Sequence, residues 1–187
     1  MEKLNEQAVV DATRRWVASV VIGLNLCPFA RRVFDAGLIR YAVTAATDEE
    51  TLHAELEREL RLLAATPATQ VETALLIHPH ALADYLDYND FLGTADRLIR
   101  QLGLRGVVQI AGFHPDYRFA RTAPDAVENY TNRSPYPMLH LLREDSITAV
   151  AGDPEKLLDI PRRNIETLRQ LGRERVLEML RRVRGQG

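Results

Sequence analysis

The first hydrophobic pattern in the chain has the three- and four-residue spacing of a helix and runs from about Glu6 to Leu24. Its apolar positions are Val9, Thr13, Trp16, Val17, Val20, Val21 and Leu24. Residues at this spacing share one face of a helix, and that face can pack on a core. We expect the helix to end near Gly23.

Three short segments rich in β-forming residues follow, separated from one another by helical patterns. They predict strands at Leu38–Ala46, Val71–Ile77 and Leu104–Ala111. Thr47 and Glu50 have the spacing of a capping box, which should open the first of the intervening helices. The apolar positions are Leu52, Leu56, Leu60 and Leu63 in that helix, and Tyr88, Phe91, Leu92, Ala95, Leu98, Ile99 and Leu102 in the next. Strands that alternate with helices form right-handed crossovers. The pattern therefore predicts one α/β domain with a small, mainly parallel three-stranded sheet and flanking helices.

A long irregular loop is expected from Gly112 to Tyr136, where the periodicity is lost. Long loops in compact domains are commonly functional. At its end, Ser134 and Pro135 have the residue types of a helix cap and first turn. They predict a short helix that continues through Met138, Leu141 and Leu142.

The C-terminal part of the chain is predicted to be helical and is locally basic. One helix should start at Asp153-Pro154 and a last one should cover about Pro161–Val183. Between positions 161 and 184 there are eight Arg and three Glu. These arginines could contact nucleic acid, but no aromatic residue is interleaved with them, and a solvated helix face accounts for them as well.

Composition narrows the class of protein. The 187 residues, of which 46% are hydrophobic and 27% charged, are typical of one globular domain. The net charge of −2 provides no general attraction to nucleic acid or membranes. No apolar run has the length of a membrane span. The single cysteine, Cys27, excludes an intrachain disulfide framework and favours a cytoplasmic protein.

Histidines follow two of the predicted strands. His78 and His80 come after the second strand, and His114 comes after the third, with Asp116 beside it. Because the ends of parallel strands meet at one sheet edge, we expect these side chains to lie close together. Imidazole suits both metal binding and proton transfer. The sequence thus suggests a divalent-metal site whose candidate ligands are His78, His80, His114 and His140. A second possibility is acid–base catalysis by His114 and Asp116. The alternative to both is that the His-Pro pairs only end the strands.

A second group of polar residues surrounds Arg133 in the loop. Backbone amides at a helix start, together with a guanidinium, form a suitable site for a small anion. The candidate ligand-binding residues are Arg133, Tyr117, Tyr130, Asn132 and Ser134. The alternative is that Ser134 only caps the following helix while Arg133 ties the loop to an acidic neighbour.

Cys27 is the third candidate. If a helix begins at Pro28, the thiol lies at its N-terminus, where the dipole and the amides lower a thiol pKa and make it a catalytic nucleophile. The alternative is a small buried hydrophobic residue, as isolated cysteines often are.

Three segments carry a resemblance to a known family. They are Val21-Ile22-Gly23-Leu24-Asn25-Leu26-Cys27-Pro28-Phe29-Ala30, Gly112-Phe113-His114-Pro115-Asp116-Tyr117, and Asn132-Arg133-Ser134-Pro135-Tyr136-Pro137 with His140. They resemble the signature segments of an uncharacterised bacterial family, domain-of-unknown-function family 1415, over nearly the whole chain. The resemblance implies no particular activity, substrate or cofactor.

A shorter resemblance concerns only Cys27-Pro28-Phe29-Ala30-Arg31-Arg32, which is similar to the active-site stretch of omega-class glutathione transferases. It implies a glutathione-reactive Cys27 and a thioredoxin-like fold, which needs a strand before the cysteine. Three functions therefore remain open: an enzyme or binding protein for a small anionic molecule at the sheet edge, a thiol-dependent transferase, or a non-catalytic interaction protein with a basic terminal helix.

Overall fold

The computed structural model describes residues 5–151 and 154–185. Its α-helices are α1 (Glu6–Trp16), α2 (Ala30–Asp35), α3 (Glu49–Ala65), α4 (Tyr85–Gln101), α5 (Glu144–Ala151), α6 (Pro154–Leu171) and α7 (Arg173–Val183). Its strands are β1 (Ile39–Val43), β2 (Thr73–Ile77), β3 (Val108–Phe113) and β4 (Met138–Arg143). A π-helix (Val17–Ile22) continues α1, and a 3₁₀ helix (Val127–Thr131) lies in the long loop. The chain is thus α/β, as the alternating patterns predict.

The sheet has four strands among the described residues, in the order β1-β2-β4-β3. β1 and β2 are parallel, whereas β4 is antiparallel to both of its neighbours. The prediction of a three-stranded, mainly parallel sheet is therefore wrong. β1, β2 and β3 nevertheless run in one direction, so their carboxyl ends lie at the same edge.

The missing strand is β4, which the sequence predicts as a short helix. Met138 to Leu142 is a nearly continuous apolar run, and such a run has no periodicity that separates a buried strand from a helix. The structure resolves the ambiguity because a strand at this place forms hydrogen bonds with both β2 and β3. Ser134 does not cap a helix, since its hydroxyl donates to the carbonyl of Tyr136.

Other element boundaries shift for local reasons. Asp48, not Thr47, caps α3, because its side chain accepts from the amide of Thr51 at 2.8 Å. β3 begins at Val108 instead of Leu104.

Gly172, with a φ of 84°, interrupts the last predicted helix between α6 and α7. Asp153, expected to start a helix, lies outside the described residues.

The two faces of the sheet carry different layers. α3 and α4 cover the first face, where Leu52, Leu56, Leu60 and Leu63 are fully buried. The second face packs against α1, the π-helix, α6 and α7 around Trp16 and Ile77.

None of the helices in the described part of the chain combines the length and the apolar character needed to cross a bilayer.

Candidate functional site

A cavity of about 120 Å³ lies on the second face of the sheet. The strands provide its floor with Ile39, Leu75, Phe113 and Leu142. α1 and the π-helix provide one wall, and the start of α2 and a turn of α5 provide the others. Most of the lining is apolar, and the polar side chains in it are few: Cys27, Glu72, Thr73, His140, Arg143 and Ser146.

The π-helix sets the shape of this cavity. It follows α1 without interruption, as the single amphipathic pattern predicts, and its Val17 and Val21 line the cavity. A β-carbon on Gly23 would lie 2.2 Å from the carbonyl oxygen of Ser19, so only glycine allows the chain to turn here. The turn is closed by a hydrogen bond of 2.8 Å from the amide of Leu26 to the carbonyl of Val21. It brings the next residue, Cys27, to the cavity wall.

Cys27 is partly buried and lines the cavity. Burial raises the pKa of its thiol, although hydrogen bonds from the amides of Phe29 and Ala30 act in the opposite direction. Because burial is the larger effect, the thiol is protonated near neutral pH and is not the activated thiolate that a transferase needs.

His140 lies on β4 opposite Leu75 of β2 and lines the same cavity. Its Nε2 is 2.8 Å from Oγ1 of Thr73. Burial lowers the pKa of His140 to about 4, so its ring is neutral above about pH 5. The imidazole of His140 and the thiol of Cys27 are therefore two uncharged polar groups in the lining of the cavity.

The two charged side chains in the described lining have protein partners. Glu72 forms an ion pair with Arg32. The guanidinium of Arg143 donates to carbonyl groups after the end of α3, including that of Val71 at 3.0 Å. The carboxylate of Glu72 is therefore neutralised within the protein, whereas the guanidinium of Arg143 is held by neutral carbonyl groups.

The predicted cluster at the carboxyl edge of the sheet is partly present. The rings of His78 and His114 both lie against Tyr88, with centroid distances of 5.9 and 5.0 Å. Nδ1 of His78 donates to Ala81, while its buried Nε2 has no partner among the described residues. Burial lowers the pKa of His78 to about 4 and also lowers that of His114.

His114 uses both ring nitrogens within the protein. Nδ1 accepts from the amide of Asp116 at 3.0 Å, and Nε2 donates to the carbonyl of Leu82 at 3.2 Å. The carboxylate of Asp116 is on an exposed residue. The pair thus forms a loop-closing contact, and the geometry does not favour its predicted catalytic role.

The four histidines of the predicted metal site do not lie together. His140 is on the second face of the sheet, His78 and His114 pack against Tyr88 beside the first, and His80 is exposed. Within residues 5–151 and 154–185, no group of three or more His, Cys, Asp or Glu side chains is placed to hold a metal ion. His140 is separated from the other three because Met138–Arg143 is a strand and not a helix at the sheet edge.

Arg133 braces the loop that carries it. Its Nε donates to the carbonyl of Tyr117 at 3.2 Å, its Nη2 donates to that of Pro124 at 2.6 Å, and its guanidinium lies 4.2 Å from the ring centre of Tyr130. Asn132 donates to the carbonyl of Gly112. Since these donors are used inside the loop, the geometry gives little support to an anion clamp.

Many arginines of the last two helices are also engaged. The ion pairs are Arg162 with Asp159, Arg169 with Glu128, and both Arg175 and Arg182 with Glu178. These pairs reduce the local positive charge that suggested a nucleic-acid surface.

The comparison with protein families confirms the family that the three sequence segments suggested. The family model described as "Protein of unknown function (DUF1415)" matches residues 8–178. The chain belongs to the DUF1415 family. No match was found among curated proteins or among solved structures. The cavity of this DUF1415 chain takes Val21 and Cys27 from the first segment, Phe113 from the second and His140 from the end of the third.

The likeness to omega-class glutathione transferases does not extend to the fold around Cys27. A thioredoxin-like fold has a strand before this cysteine, whereas the DUF1415 chain has α1 and the π-helix there.

Sequence reasoning assigned Cys27 and His140 to separate sites and missed Thr73. A signal was present, because Thr73 is the polar member of the otherwise apolar strand Thr73–Ile77.

Proposed function

We propose that this DUF1415 protein binds a small, uncharged and largely apolar molecule in the cavity lined by Cys27 and His140. The observation that carries the proposal is the cavity itself, whose mainly apolar walls include a few polar groups. This combination is the usual character of small-molecule sites.

The size of the cavity limits the ligand. An engineered apolar cavity of about 150 Å³ in another protein takes up benzene. A cavity of about 120 Å³ is of similar size and therefore suits a ligand of about one six-membered ring.

The mainly apolar walls disfavour a strongly charged ligand. Transfer of an unpaired ion into an apolar site costs several kcal/mol. Glu72 is already paired with Arg32, so it offers an incoming cation little compensation. Binding is favoured over thiol-dependent transfer because burial raises the pKa of Cys27.

Trp16 offers a direct test, because it is the single tryptophan of the chain and lines the cavity. We would titrate the full chain with cyclohexanol, cyclohexanone and cyclohexanecarboxylate while recording Trp16 fluorescence. The two neutral probes should change the emission in a saturable way, and the carboxylate should not. The same neutral probes should slow the labelling of Cys27 by N-ethylmaleimide.

A matched pair of variants locates the binding. Ala30 lines the cavity, so Ala30→Leu should fill it and abolish both effects. Ala36→Leu, at an exposed position outside the lining, should retain them. Absence of binding by both neutral probes to the wild-type chain, or unchanged binding by a folded Ala30→Leu variant, would refute the proposal.

A further inference from the structure

We infer that the cavity selects neutral ligands that carry a hydroxyl group, which donates a hydrogen bond to Nδ1 of His140, and that Thr73 is the positioning residue that makes this nitrogen an acceptor. The inference rests on the proposed function and adds the chemical class of the ligand.

The tautomer of His140 follows from the contacts of Thr73. The hydroxyl of Thr73 lies 2.6 Å from the carbonyl oxygen of Leu141 and 2.8 Å from Nε2 of His140. A carbonyl oxygen can only accept, so the single hydroxyl proton is directed to Leu141. Nε2 must then donate its own proton to Oγ1 of Thr73. In a neutral imidazole, this leaves Nδ1 without a proton.

Nδ1 of His140 is therefore an acceptor on a ring that lines the cavity. It has no hydrogen-bond partner among the described residues. This nitrogen is therefore able to accept a hydrogen bond from a ligand in the cavity, and one such bond usually makes a net contribution of about 1 kcal/mol, or about 3- to 10-fold in affinity. Cys27, which lines the same cavity, is only a weak donor.

Two features restrict the donor to a neutral group. The lining is mainly apolar, so an ammonium group would lose its hydration there. The carboxylate of Glu72, which could have attracted a cation, is paired with Arg32. A neutral alcohol or phenol fits both conditions.

Cyclohexanol and cyclohexanone make a matched test of the wild-type chain. They have the same ring and nearly the same volume, but only the alcohol can donate. We expect cyclohexanol to bind about 3- to 10-fold more tightly, as one hydrogen bond predicts. Equal affinity for the two probes would overturn the inference while leaving the proposed function intact. Failure of both probes to bind would overturn the proposed function.

Three variants assign the preference to the two residues. His140→Phe should bind both probes about equally, because it keeps an apolar ring and removes the acceptor. Thr73→Val should lower the preference, and Thr73→Ser should restore it because it returns the hydroxyl. A preference that persists in His140→Phe would contradict the assignment.

The tautomer itself can be measured without any variant. ¹⁵N chemical shifts of the wild-type His140 ring should show a protonated Nε2 and an unprotonated Nδ1. A merely structural role of Thr73 would not require this tautomer. Observation of a protonated Nδ1 near neutral pH would overturn the inference.

Discussion

Thr73 and His140, on neighbouring strands of the sheet, are joined by a hydrogen bond of 2.8 Å between Oγ1 and Nε2. Their strands pair Leu75 with His140, so Thr73 approaches the ring along a diagonal of the ladder. This contact fixes the orientation of the imidazole in the lining of the cavity, while burial keeps the ring neutral.

Burial of histidines should make the protein less stable in mild acid. His78 and His140 have folded-state pKa values of about 4, below the value near 6.5 of the unfolded chain. Between these values the unfolded chain binds more protons. The free energy of unfolding should therefore be highest above pH 6.5, fall as the pH drops toward 4, and lose up to roughly 3 kcal/mol per histidine.

Urea unfolding of wild type and His140→Phe at several pH values tests this dependence. The variant should lose less stability than wild type between pH 6.5 and 4, because one buried histidine is gone. His80→Gln, at an exposed position, is the control and should follow wild type. Identical profiles for wild type and His140→Phe would contradict the prediction.

Arg133 should prove more important for the loop than for binding an anion. Arg133→Lys keeps the charge but loses the planar group that bonds two carbonyls and stacks on Tyr130. We expect unfolding to become easier by about 1–2 kcal/mol, with faster proteolysis within residues 112–136.

Arg162→Lys is the matched control, because Arg162 is exposed and forms an ion pair with Asp159 on its own helix. It should change stability by less than about 0.5 kcal/mol. An unchanged stability of Arg133→Lys, together with a loss of phosphate binding, would restore the anion-clamp hypothesis.

Position 112 requires glycine because the backbone of β3 lies close to side chains of α4 there. A β-carbon there would lie 2.8 Å from the hydroxyl of Tyr88 and 3.2 Å from a methyl of Leu92. The hydroxyl of Tyr88 is also held by the carbonyl of Met138 at 2.9 Å, so it cannot move freely. Gly112→Ala should therefore destabilise the fold by about 1–3 kcal/mol.

Gly93→Ala, in α4, is expected to change the stability in the opposite direction. Its added carbon would meet only the end of Arg97 at 3.6 Å within α4. Alanine favours a helix over glycine by about 0.5–1 kcal/mol, so this variant should be stabilised. Thermal melts of both variants measure the contrast, and equal effects would show that the contact with Tyr88 is unimportant.

Local patterns in the sequence were sufficient for most helices and for the first three strands. The leucines from Leu52 to Leu63 recur at helical spacing, and all are buried in α3 as predicted. The common direction of β1, β2 and β3 was also expected, and it brings His78 and His114 to Tyr88. These features could be predicted because helix periodicity and crossover handedness depend on neighbouring parts of the chain.

The sequence by itself determined the amphipathic faces, the residue types available for chemistry and the family. Only the tertiary structure decided that Met138–Arg143 is a strand, because its hydrogen bonds come from β2 and β3, which are distant in sequence. Because this strand lies between β2 and β3, His140 lines the cavity and does not lie at the sheet edge, where it was predicted. It contacts Thr73 and shares the cavity lining with Cys27. A site built from such distant segments depends on strand order and register, which local patterns do not encode.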